Sequence, residues 1–216
     1  VSSAQSDVGV LSEVSESELK RRLVHASGTG LPLLYVLGFV SWEQFGLVML
    51  LVSAVAAILE FFRLVVGLDW GIYDELTRSY EQTNVAGYAL YMFSMTAVVL
   101  VFAPHIAIPA ALMLTIGDPV SGLLGTTREA DESKRLRTLG AMFAVCFAVS
   151  APFLVPAAGP VGWAAAAAAA LAATAADGFK PVIASYVVDD NLSIPPAAAL
   201  AASAVLAATG AAPLFG

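Results

Sequence analysis

The 216 residues are 59% hydrophobic and 12% charged, with a mean hydropathy of +0.82 and a formal charge of −7 from 10 Lys and Arg against 17 Asp and Glu. That much apolar surface excludes a soluble domain, and the acidic balance argues against nucleic acid as a partner. What remains is an all-α, polytopic membrane bundle embedded in a lipid bilayer. A single cysteine, Cys146, allows neither an internal disulfide nor a thiolate metal site, and it reads as a small residue of an apolar run.

In chain order, Val1 to Glu18 is rich in Ser and Glu and lacks the apolar core of a cleavable signal. Residues 1–18 are therefore expected to be a disordered cytoplasmic tail, and 19–216 a single transmembrane domain. Lys20-Arg21-Arg22 precedes a first apolar span, Leu23 to Val40, and Ser41 to Gln44 turns the chain into a second, Phe45 to about Val66. A polar loop from Gly67 to Thr83 leads to a third span, Val85 to Ala103. Beyond the turn at Pro104-His105, a fourth runs from Ile106 to Leu124. Leu139 to Val155 and the Ala-rich Trp163 to Ala176 make the fifth and sixth, and Ala197 to Ala212 the last, giving about seven spans. Between Asp177 and Pro195 the apolar run is broken, and Phe179 to Val188 is too short to cross a bilayer, which suits an interfacial or re-entrant element.

With the N-terminus cytoplasmic, this scheme places all 10 Lys and Arg on the inner side. It also gathers His25, Glu60, Asp118, Asp189 and Asp190 toward the same face, where nucleotides are available.

The stretch from Thr115 to Arg137 concentrates the chemistry. An acid at membrane depth is costly unless it faces protein, water or a cation, which makes Asp118 a site candidate, either as a Mg²⁺ ligand or as the acceptor of a substrate proton. A carboxylate that caps a helix or pairs with an arginine is the plainer reading. Gly117, Gly122 and Gly125 let a phosphate approach the backbone, or let helices pack closely. Lys134, Arg135 and Arg137 can hold nucleotide phosphates, or set topology at the lipid headgroups. Asp190 can supply a second metal oxygen and Asn191 an amide hydrogen bond, unless the pair only turns the chain. Glu60 and Arg63, three apart on one helix, can pair with each other or align the basic segment from behind the site. His25 shares a helix face with Arg21 and Arg22.

Three separated segments carry a resemblance. Arg21-Arg22-Leu23-Val24-His25, Gly117-Asp118-Pro119-Val120-Ser121-Gly122-Leu123-Leu124-Gly125 and Asp190-Asn191-Leu192-Ser193-Ile194-Pro195 stand in order across the membrane portion. They are similar to the Arg-Lys-x-x-His, Gly-Asp-x-x-Ala-Ser-x-x-Gly and Asp-Asn-x-x-Ile-Pro motifs of the CTP-dependent lipid kinases, which include dolichol kinase, phytol kinase and the yeast-type diacylglycerol kinase. The chain departs from that pattern after the second motif. Leu136 and Leu139 stand where the family has Lys and Glu, although Arg135 and Arg137 flank the first of these.

The resemblance implies a membrane kinase that transfers the γ-phosphoryl group of CTP to an isoprenoid alcohol, such as a polyprenol, dolichol or phytol-like lipid, with Mg²⁺ at the cytoplasmic face. It also implies phosphate or substrate contacts for Arg21, Arg22 and His25. Two other readings use the same features: a cytidylyltransferase that makes a CDP-lipid, and a non-enzymatic lipid-binding or transport protein whose broken helices line a pathway.

Overall fold

The computed structural model describes residues 25–68, 70, 71, 73, 77, 81–124, 136–179, 181–183 and 186–216. The expected tail and cytoplasmic N-terminus, with Arg21 and Arg22, lie outside the described residues, as do Gly125, Lys134 and Arg135.

A short α1 (Gly30–Val36) is followed by α2 (Trp42–Phe61), which widens into a π-helical turn at Phe62–Val66 and stops at Gly67, whose φ of 74° is left-handed. Ser41 starts α2 with a reciprocal cap: its hydroxyl accepts from Gln44 N, and Gln44 Oε1 accepts from Ser41 N at 2.8 Å. Then come α3 (Gly87–Val101) and α4 (Pro104–Leu112), a second π-helical turn at Met113–Gly117, and α5 (Asp118–Leu124). Two proline-containing helices follow: α6 (Leu136–Ala158) and α7 (Pro160–Gly178), the latter with Pro160 at its first turn, where a missing N–H costs nothing. A two-residue antiparallel ladder pairs β1 (Val182–Ile183) with β2 (Tyr186–Val187), in the register Val182 to Val187 and Ile183 to Tyr186. The last helix, α8 (Asp190–Thr209), is capped by Asp189 and ends at left-handed Gly210.

Among the described residues, five helices are long and apolar enough to cross a membrane: Trp42–Val66, Pro104–Leu123, Leu136–Ala158, Pro160–Gly178 and Asp190–Thr209. This corrects the expected seven. The expected third span is only the 15-residue α3, about 22 Å long at 1.5 Å per residue, and short of the hydrocarbon thickness. The expected first span is interrupted: the helical turn at residues 25–27 breaks at Gly28-Thr29, and α1 adds only 7 residues. Residues 25–42 nevertheless run from one end of the bundle to the other. His25 lies beside Leu114, and Trp42 packs by Gly216 near Phe102.

Pro104–Leu123 is the central element, buried along most of its length, while the other four long helices leave most of theirs outward. It packs against α3, α6 and α8, with α7 joining α6 and α8 and with α2 flanking α3. Met49, Met95, Ile106, Met113, Leu114, Met142, Leu154 and Ile194 fill the interior. Leu47, Leu51, Val55, Ile58 and Leu171 point outward, the arrangement expected where lipid replaces water. The antiparallel α6–α7 pair is drawn together at Gly162, where any Cβ would collide with the Leu154 carbonyl.

Candidate metal centre

The π-helical turn ahead of Asp118 follows from its neighbour. Pro119 has no N–H, so a regular helix here would leave the Thr115 carbonyl without a donor and press the ring against it. Widening to an i→i+5 pattern relieves the clash, and moves the missing donor to the Leu114 carbonyl. His25 fills that vacancy: its Nε2 lies 3.1 Å from Leu114 O. A carbonyl only accepts, so Nε2 carries the hydrogen. The same nitrogen is 3.6 Å from Asp118 Oδ2, an ion-pair distance if the ring is protonated. Tyr91 holds the ring from the other side, edge to face at 4.5 Å, and its hydroxyl donates to His25 O at 3.2 Å.

Two further acids arrive from helix ends. Asp177, in the last turn of α7, is buried and accepts a 2.6 Å hydrogen bond from the Ser121 hydroxyl of α5. Asp190, the first residue of α8, is also buried. Its position is fixed by the cap beside it: Asp189 Oδ1 accepts from Asn191 N at 2.9 Å and from Asn191 Nδ2 at 2.6 Å. Across the interface, Ser94 of α3 donates to Asn191 O at 2.5 Å.

One carboxylate oxygen from each of Asp118, Asp177 and Asp190 lies within 4.8 Å of the other two. Two of these residues are buried, and Asp118 is partly open. Three carboxylates so close repel one another, a cost that a cation among them would relieve, and an all-oxygen set is the donor chemistry of hard divalent ions. An octahedral ion with ligands at about 2.1 Å separates opposite oxygens by about 4.2 Å, so the cluster is of metal-binding size. These residues fit a divalent cation.

Glu60 and Arg63 form a separate, fully bonded network. The Arg63 guanidinium meets the Glu60 carboxylate twice, Nε to Oε1 at 3.0 Å and Nη2 to Oε2 at 2.6 Å. It donates as well to the carbonyls of Glu81 at 3.0 Å and Asn84 at 2.5 Å. Glu60 also accepts from Ala86 N at 3.1 Å and from the Tyr88 hydroxyl at 2.6 Å. The pair thus ties the end of α2 to the segment leading into α3.

Other expected site residues are placed as follows. Gly117 packs under α6, where a Cβ would come 2.9 Å from Met142 Sδ and 3.0 Å from Cys146 Sγ, so close helix packing accounts for it. Gly122 is half-buried in α5, and Arg137 is exposed in the first turn of α6. Leu139 lies against Gly178 at the end of α7, one residue from Asp177. Asn191 joins the site through the cap, next to Asp190. Asp177 is the member of the cluster that sequence reasoning missed; its signal is an acid in the last turn of an alanine-rich membrane helix, the same cost argument that singles out Asp118.

No protein-family model, no curated protein and no solved structure matches the chain.

Proposed function

We propose that this protein is an integral-membrane kinase that moves the γ-phosphoryl group of CTP to the hydroxyl of an isoprenoid alcohol, with Mg²⁺ held by Asp118, Asp177 and Asp190. The observation that carries the reading is convergence. Asp118 and Asp190 belong to two segments far apart in the chain, singled out for their likeness to one kinase family, and their carboxylates meet at one metal-sized cluster beside His25 of the third segment.

Location supports a lipid substrate. Asp177 ends a 19-residue apolar helix and Asp190 begins a 20-residue one, so both stand near the edge of a hydrocarbon layer about 30 Å thick. An alcohol whose tail lies in the bilayer presents its hydroxyl at that depth. In this reading the edge faces the cytoplasm, as the positive-inside rule expects for an edge next to Arg137.

Bound Mg²⁺ would neutralise phosphate charge as the acceptor attacks. Asp177 and Asp190, buried and braced by Ser121 and the α8 cap, are the anchoring ligands. Asp118 is more open, and in this reading its second carboxylate oxygen receives the alcohol's proton as the new O–P bond forms and the bond to the β-phosphate breaks, releasing CDP. Exposed Arg137, with Lys134 and Arg135 before it, supplies cations for the nucleotide phosphates.

The test is product analysis with purified protein in lipid nanodiscs, Mg²⁺, CTP or ATP, and a panel of free isoprenoid alcohols, diacylglycerol and phosphorylated lipids. CDP and a lipid monophosphate from a free alcohol are expected. Pyrophosphate and a CDP-lipid from a phosphorylated acceptor would establish a cytidylyltransferase instead. Lipid binding or flux without nucleotide turnover would establish the non-enzymatic reading.

A further inference from the structure

We infer that His25 is a positioning residue for the metal centre: by donating to the carbonyl that Pro119 leaves without a partner, it fixes the helix break that aims Asp118. This rests on the reading that Asp118, Asp177 and Asp190 hold a divalent ion.

The resemblance implies that His25 touches phosphate or substrate, but its surroundings assign it another task. Nε2 is committed to Leu114 O at 3.1 Å, and since it carries the hydrogen there, that nitrogen has no lone pair for a metal. Among the described residues, the three groups close enough to share an ion are all carboxylates, and His25 is not among them. The ring is clamped rather than free to swing: Tyr91 packs edge-on at 4.5 Å and also bonds the His25 carbonyl. Gly28 completes the clamp, since the Tyr91 hydroxyl occupies the space that a Cβ at residue 28 would need.

Pro119 bars a regular helix here in any case, and what the contact settles is the register of the break, by satisfying the Leu114 carbonyl. A π-helical turn is less favourable than a regular one, and persists where its odd carbonyl is satisfied. Without the His25 donor, the turn from Met113 to Gly117 can relax, and any rotation there re-aims Asp118 at the next position. The Asp118 carboxylate lies 3.6 Å from the same nitrogen, so the ring stands directly beside the ligand it positions. A residue 89 positions from the carbonyl it holds thereby sets the geometry of one metal ligand.

Mn²⁺ binding to the full chain in nanodiscs, without nucleotide, tests this by electron paramagnetic resonance. His25→Ala is expected to weaken Mn²⁺ binding by about 10- to 100-fold, the usual cost of losing a residue that orients a ligand. His25→Gln, whose side-chain N–H reaches about as far as Nε2, is expected to restore binding to within about threefold of the wild type, and His25→Asn, too short to reach, to leave it weak. Should His25→Ala fail to fold, the Gln and Asn variants carry the comparison. Wild-type affinity in the Ala or Asn variant overturns the positioning role. A Gln variant as weak as Ala also overturns it, because only the imidazole itself would then serve. Failure of the wild type to bind Mn²⁺ would instead overturn the metal reading beneath it.

Discussion

The Ser121 hydroxyl donates a 2.6 Å hydrogen bond to Asp177 Oδ2, joining the helix that begins at Asp118 to the end of α7. A hydrogen bond to a buried charged group contributes about 1.5–3 kcal/mol. Ser121→Ala is therefore expected to lower thermal stability in detergent by an amount in that range, and to weaken divalent-metal binding, because Asp177 loses a group that orients it. A variant with unchanged melting and unchanged Mn²⁺ affinity would show the contact to be incidental.

Metal removal should destabilise the fold. An ion that binds only the folded chain stabilises it by mass action, by about 2.7 kcal/mol at one hundred times its dissociation constant. Mg²⁺ or Mn²⁺ should raise the unfolding temperature, a chelator should reverse the rise, and Asp190→Asn should abolish the response. A rise of equal size in that variant would place the ion elsewhere.

The Glu60–Arg63 pair is braced by backbone groups on every side, and both side chains are at most 8% exposed. Arg63→Met strands the Glu60 carboxylate and is expected to cost about 3–5 kcal/mol, whereas the double variant Glu60→Gln, Arg63→Met should recover much of the loss. Chemical denaturation of the reconstituted protein reads both. A double variant no better than Arg63→Met alone would mean that the bonds to the Glu81 and Asn84 carbonyls dominate.

Gly87 is open to a different kind of test. A Cβ there would stand 3.0 Å from Asn191 Nδ2 and 3.3 Å from Glu81 Oε1. Gly87→Ala should push the amide off its bond with Asp189 and cost about 1–3 kcal/mol, the range for overpacking. Because Asn191 follows Asp190, Mn²⁺ affinity should fall in the same variant; stability lost at constant affinity would uncouple this corner from the metal centre.

Much of this architecture can be read from local pattern. Asp118 and Asp190 stand out because charge in or beside an apolar run demands a reason, and Glu60 with Arg63 because three-residue spacing puts them on one helix face. Asp177 carries the same signal less plainly: it reads as the point where an apolar run ends, and joins the carboxylate cluster because α7 is long enough to bring its last turn beside Ser121. The role of His25 is equally tertiary, since it answers a carbonyl orphaned by Pro119 far along the chain. Hydropathy alone overcounts the long spans for a related reason. It registers apolar residues around Gly28 and Gly30 without registering that the helix breaks there, and it extends the third span beyond the 15 residues that stay helical.

The most direct test of the central claim is phosphoryl transfer from γ-labelled CTP to a free polyprenol in nanodiscs, comparing the wild type with Asp177→Asn. Asp177 is the decisive position because the structure nominates it and the family motifs do not. The account predicts labelled polyprenyl monophosphate from the wild type, and a rate at least about 100-fold lower in the variant, as expected for loss of a ligand to a catalytic metal. Label transferred by the variant at the wild-type rate, or by neither protein while both are folded, would contradict it.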